Sequence, residues 1–146
     1  MKKYPELKVK LLSEKAKMPT RGTLGSSGID VYTPIDVVIH PMSDVVIPLD
    51  ICFDIPYGWD LAVCNKSGIA TKKHLSKGAE IIDSDYTGNI LIHLFNYSNY
   101  PQEFKAGQKV AQLVMREVWM GDIVRVDEIE KSTERGSGCC GSTGDR

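Results

Sequence analysis

Two aspartates and a tyrosine interrupt an apolar run at residues 80–95, EIIDSDYTGNILIHLF. A carboxylate displayed beside an apolar wall is suited to take a proton from water, which makes Asp83 and Asp85 the first residues with chemistry to offer. The run also begins like a calcium loop, with Asp83, Asp85 and Gly88 in the first, third and sixth places. The twelfth place is Leu94 rather than a bidentate glutamate, and strand patterns flank the segment, so that reading fails. A purely structural account also fits: Asp and Gly are common at the tip of a hairpin, here with YTGN as the turn.

Elsewhere the reactive residue types are sparse. His40, His74 and His93 show neither H-x-H nor H-x-x-x-H spacing, which argues against a zinc site. The segment NKSGIA at residues 65–70 lacks the second glycine of a nucleophile elbow. Ser67 reads as a helix N-cap and, beside Lys66, also as a hydroxyl donor to a phosphate. Residues 132–146, STERGSGCCGSTGDR, are rich in glycine and carry no apolar pattern. Composition leaves two readings of this tail open. It is a frayed end, or an arm whose backbone N–H groups and Arg135 order around a phosphate.

These groups need a scaffold, and 146 residues suffice for one domain with a real core. A formal net charge of -1, with 25% charged residues, gives no general basic surface for nucleic acid. The four cysteines, Cys52, Cys64, Cys139 and Cys140, form no C-x-x-C pair, and two are adjacent, which suits a reducing compartment. No apolar run is long enough to span a membrane, and MKKYPELKVKLL lacks the core of a signal peptide. The expectation is a soluble cytoplasmic protein.

Period-2 alternation recurs at Leu7, Val9, Leu11; at Ile47, Leu49, Ile51, Phe53, Ile55; at Trp59, Leu61, Val63; at Ile90, Ile92, Leu94; and at Val110, Gln112, Val114. Each set predicts a half-buried strand, and turn signals such as HPMSD and IPYG separate them. Only residues 67–75 are suited to a short helix. Short strands with frequent turns predict an all-β sandwich or barrel.

Five segments spread over residues 7–144 resemble, in order, the motifs of the homotrimeric dUTPase family. PTRGTLGSSGIDVYTP is similar to the first motif and implies that Asp30 serves Mg²⁺, through water. NKSGIA resembles the second, implying phosphate contacts from Lys66, Ser67 and Gly68. GAEIIDSDYTGNI resembles the third, with Asp83 as the base for water and Tyr86 packed on the deoxyribose. Backbone within residues 78–83, Ile82 included, would read the uracil edge. AGQKVAQLV resembles the fourth and gives Gln112 a phosphate or water contact. RGSGCCGSTG resembles the fifth, a mobile arm bringing Arg135, Cys140, Gly141, Ser142 and Thr143 over the substrate.

The resemblance implies a distorted jelly-roll or β-barrel-like domain over residues 1–131, with one short helix. Residues 132–146 would form a flexible C-terminal arm closing over the site. The implied assembly is a homotrimer with three sites between subunits, hydrolysing dUTP to dUMP and pyrophosphate with Mg²⁺. Such an enzyme limits uracil in DNA and supplies dUMP for dTMP synthesis, without contacting nucleic acid or membrane. Four departures stand out: Asn65 and Lys66 for Pro-Arg, Gln108 and Lys109 for Asp-Arg, Cys139 for glycine, and Cys140 for the aromatic that covers uracil. Two alternatives keep the fold and change the function. One is a dCTP deaminase relative, whose third motif uses a glutamate; the other is a nucleotide-responsive regulatory protein acting on an unknown partner.

Overall fold

The computed structural model describes residues 4–129 together with Thr133 and Gly136. Twelve strands and one helix follow in chain order: β1 (Lys8–Leu11), β2 (Thr20–Arg21), β3 (Ile29–Tyr32), β4 (Val37–Ile39), β5 (Asp44–Pro48), β6 (Ile51–Asp54), β7 (Trp59–Cys64), α1 (Ser67–Lys73), β8 (Leu75–Lys77), β9 (Ile81–Ile82), β10 (Leu91–Asn96), β11 (Gln102–Phe104) and β12 (Lys109–Glu117). The largest sheet has the order β2-β3-β12-β7-β9, and a second has the order β5-β10-β8. Two-stranded ribbons β1-β6 and β11-β4 complete the antiparallel framework. Between the sheets lies one apolar cluster that includes Val31, Ile39, Ile47, Leu61, Ile92, Leu94 and Leu113. The expected all-β, jelly-roll-like class is correct. No helix among the described residues is long and apolar enough to cross a membrane.

The alternating sets bury their apolar members where each strand is regular, and the exceptions have local causes. Residues 47–55 read as one strand but form two, because Asp50 adopts a left-handed backbone with φ 55°. Asp tolerates that region better than most residues. The inward face survives the break: Leu49 N–H bonds Ile90 O at 2.9 Å, and Ile90 N–H bonds Ile51 O at 2.8 Å. In β12 the expected inward set Val110, Gln112, Val114 is wrong beyond its first member. A register shift between Lys109 and Ala111 lets Val110 and Ala111 both face the core, after which Leu113 points inward and Gln112 outward. Such a bulge reverses the face of every later side chain. β7 is not half-buried either, since Asp60, Leu61, Ala62 and Val63 are all covered.

Two further expectations are corrected. Residues 80–95 do not form a hairpin: β9 pairs with β7, whereas β10 pairs with β5 and β8, so the connection crosses from one sheet to the other. Its turn is closed by Tyr86 N–H donating to Asp83 O at 3.1 Å. Ser67 is the first helical residue rather than the cap; the N-cap is Lys66, with no side-chain capping bond.

Asn96, buried at the end of β10, ties this crossover framework to β4. Its Nδ2 donates to Ile39 O at 2.9 Å and Tyr100 O at 2.8 Å, while its Oδ1 accepts from Ser98 N–H at 2.9 Å and Ser98 Oγ at 2.7 Å. All of the amide's principal valences are used in a site closed to solvent. Asn96→Ala strands several buried polar groups, each costing about 1–3 kcal/mol. The expected loss is about 3 kcal/mol in urea denaturation, and a loss below about 0.5 kcal/mol would contradict this role.

Candidate functional site

Asp30 lies on β3, an inner strand of the largest sheet, paired in register with Thr20 on one side and Gln112 on the other. Its side chain is only 8% exposed, and each carboxylate oxygen meets an ammonium group: Lys66 Nζ at 2.6 Å from Oδ1 and Lys109 Nζ at 2.6 Å from Oδ2. Burial pushes the Asp30 carboxyl up, but the hydrogen bonds from Lys109 and Lys66 outweigh it and hold the group below its ordinary value of 3.8. The same contact to Asp30 pushes the Lys109 ammonium up.

Because the folded Asp30 is the stronger acid, folding favours its ionised form, and this contribution is complete above the unfolded value. It is lost as the pH falls below 3.8 toward the lower folded value. Asp30→Asn is therefore expected to reduce the urea midpoint at neutral pH, with the gap to the parent closing in that acid window. A gap that stays constant through the window would contradict the assignment.

Gln112 joins this cluster through the register of β12, which pairs it with Cys64 as well as Asp30. Its Nε2 donates to Asn65 O at 2.8 Å, fixing the chain just before Lys66, Ser67 and Gly68. The approach depends on Gly28, where a Cβ would stand 2.2 Å from Gln112 Oε1. Asp30, Lys66 and Gln112 are thus assembled in one place, with Ser67 and Gly68 opening the adjoining helix. The cluster pairs a fixed anion with two cations and an amide, an arrangement suited to phosphate oxygens.

Asp83 belongs to a different place. It lines a cleft of about 490 Å³ with Tyr57, Trp59, Asp60, Asp85 and Trp119. The β7–β9 register, Leu61 with Ile82 and Ala62 with Ile81, sets Asp83 opposite Asp60 one step further on. Ile82 is buried, while Tyr86 is half-exposed, donates its OH to Asn89 O at 2.8 Å, and lies over Gly88, whose Cβ would meet that OH at 2.7 Å. Strand spacing of about 4.8 Å and rise of about 3.3 Å per residue put Asp83 on the order of 20 Å from Asp30. One subunit therefore holds two separate clusters.

Sequence reasoning missed what Lys109 holds, and missed Gly28 and the buried Asp60 altogether, since each acts through partners distant in the chain. Bulge geometry, register and close approach leave no local signal. Arg135, Cys140, Gly141, Ser142 and Thr143, together with the expected arm, lie outside the described residues. Both oxygens of Asp30 carry an ammonium group, so its expected service to Mg²⁺ is not direct ligation and is confined to contact through water. Nor, among the described residues, do three His, Cys, Asp or Glu side chains converge as a cation cage.

The fold and the cationic cluster define a jelly-roll-like β-protein equipped for a phosphate-bearing ligand. The dUTPase family model matches residues 14–144, and the chain belongs to that family. The chain is 39% identical over 140 residues to the deoxyuridine 5'-triphosphate nucleotidohydrolase of Arabidopsis thaliana, covering 96% of this chain and 84% of that protein. Among solved structures, a Staphylococcus bacteriophage 80alpha dUTPase with dUpNHpp superposes with a TM-score of 0.91 at 29% identity, covering 97% of this chain and 100% of that one. A mutant of the dUTPase from phage phi11 of S. aureus, described with a structural Mg(II) ion, superposes with a TM-score of 0.82 at 28% identity, covering 87% of this chain and 100% of that one.

Proposed function

We propose that the Asp30 cluster and the Asp83 cleft are halves of one site, completed when subunits of a homotrimer meet. The chain hydrolyses dUTP to dUMP and pyrophosphate. The observation that carries the residue assignment is the separation of the two half-sites within one subunit. Residues 118–129, without regular structure, leave Trp119, Ile123, Val124 and Ile129 exposed, apolar surface that association would cover.

In this arrangement Lys66, Ser67, Gly68 and Gln112 hold the phosphates and draw charge from the α-phosphorus. A neighbouring subunit's Asp83 takes a proton from water, whose oxygen attacks the α-phosphorus in line while the bond to the bridging oxygen of pyrophosphate breaks. Tyr86 packs beneath the deoxyribose and leaves no room for a 2′-hydroxyl. β9 is the edge strand of its sheet, so backbone around Ile82 has polar groups to offer the uracil edge. Cytosine would place a donor against a donor and leave it unpaired. By the family resemblance, Arg135, Ser142 and Thr143 serve the γ-phosphate.

Pyrophosphate release should be fastest with dUTP, with dCTP, dTTP and UTP at least about 100-fold lower in kcat/KM. Comparable rates for UTP would remove Tyr86 from sugar discrimination. Subunit mixing tests the completed site. Lys66→Met and Asp83→Asn trimers, each impaired alone, should regain about a quarter of parental activity after co-refolding, since random mixing pairs intact halves at that frequency. No recovery in mixed trimers would place both halves of a working site in one subunit.

A further inference from the structure

A second cationic surface lies beside the Asp30 cluster and takes no part in the proposed chemistry. Lys17, Lys73 and Lys109 line an open cleft of about 460 Å³ with Tyr32, Phe104 and Gly107. The partners of Lys17 are neutral: its Nζ sits 4.1 Å from the Tyr32 ring centroid and donates to Gly107 O at 3.4 Å. Those of Lys73 are neutral too, the Phe104 ring at 5.1 Å and Glu103 O at 3.1 Å. Lys109 shares the single carboxylate of Asp30 with Lys66. Among the described residues, four ammonium groups thus stand against one carboxylate, in a chain whose overall charge is -1.

We infer that this cleft is a second anion subsite, which takes a compact phosphate-rich anion of the inorganic pyrophosphate class. Carbonyl oxygens and ring faces are weaker partners for an ammonium than an oxyanion, so Lys17 and Lys73 exchange them readily when one arrives. The buried Tyr32 and Phe104 rings form walls that exclude water on one side and strengthen each charge contact. Both rings face an ammonium group, which leaves no free platform for a nucleobase. The cleft therefore selects the anion without the nucleoside. Lys109 links it to the substrate side, because an anion drawing on Lys109 loosens its hold on Asp30.

The binding test does not depend on turnover. Calorimetry with inorganic pyrophosphate is performed on the full chain, with and without a saturating non-hydrolysable dUTP analogue. The parent should bind pyrophosphate in the presence of the analogue, and Lys17→Ala/Lys73→Ala should bind it at least about tenfold more weakly, as expected for two lost charged contacts. Lys17→Arg/Lys73→Arg should retain most of the affinity, and inorganic phosphate should bind more weakly than pyrophosphate in every variant. The alanine pair should keep parental dUTP turnover while losing the noncompetitive part of pyrophosphate inhibition. Absence of pyrophosphate binding by the analogue-saturated parent overturns the proposal, as does equal affinity in the alanine pair. A parent that binds pyrophosphate through Lys17 and Lys73 yet fails to hydrolyse dUTP would instead refute the hydrolase reading and leave the subsite standing.

Discussion

Asp83→Asn is expected to lower kcat for dUTP by about 10²–10⁴-fold, the usual contribution of a positioned general base. An amide keeps the shape of the carboxylate but does not accept the proton of an attacking water. The backbone should not move, because Asp83 is fixed by the pairing of β9 with β7 and by the 3.1 Å bond from Tyr86 N–H to its carbonyl. Affinity for a non-hydrolysable dUTP analogue should therefore stay within about threefold of the parent, the pattern of a group needed chiefly in the transition state. Asp85 lines the same cleft and supplies the control. Asp85→Asn should keep near-parental turnover. If the Asp83 variant, folded and assembled, turns over at the parental rate, the base lies elsewhere.

The order of strands was legible in the alternation of Leu61 and Val63 or Ile92 and Leu94, because a strand that buries one face must repeat every second residue. What defeated that reading was local backbone geometry that leaves the alternation intact. The left-handed turn at Asp50 splits a strand without disturbing which side chains face inward. The bulge before Ala111 does the reverse, keeping the strand and exchanging its faces. That exchange turns Gln112 outward toward Asn65, so the error in reading the core and the position of a functional residue have one cause.

The candidate residues were recognisable because Asp30, Ser67, Asp83 and Gln112 stand in segments with a characteristic order. Their grouping was not. Asp30 and Lys66 are 36 positions apart, and only the register of β3, β12 and β7 brings them together. Lys109, noted in the sequence only as a departure from the family pattern, holds the second oxygen of Asp30. The resemblance implied sites between subunits, but motif order carries no information on which chain supplies each part, so the distance of Asp83 from that cluster was not legible.

Arg116→Met is expected to destabilise the protein by about 3 kcal/mol, because it leaves a buried carboxylate without its partner. Arg116 grips Asp60 with both arms of the guanidinium, Nε at 2.9 Å from Oδ1 and Nη2 at 2.7 Å from Oδ2. The Asp60 side chain is only 7% exposed, so water does not replace the lost contacts. Among the described residues, the cleft it lines also contains Asp83 and Asp85 and no cation, which adds like-charge repulsion to the desolvation cost. Glu80 loses its 3.7 Å contact with Arg116 Nη1 as well, but keeps the one with Lys77. The Arg116 side chain is 39% exposed, so lost packing adds a smaller amount. Removing both charges separates these contributions. Asp60→Leu/Arg116→Met should lie within about 1 kcal/mol of the parent, since an apolar pair of similar volume commonly replaces a buried ion pair without loss. Urea midpoints measured at one protomer concentration, with the slope checked for constancy, decide the matter. A single variant as stable as the parent, or a double variant less stable than the single one, would show that Asp60 does not depend on Arg116 for its burial.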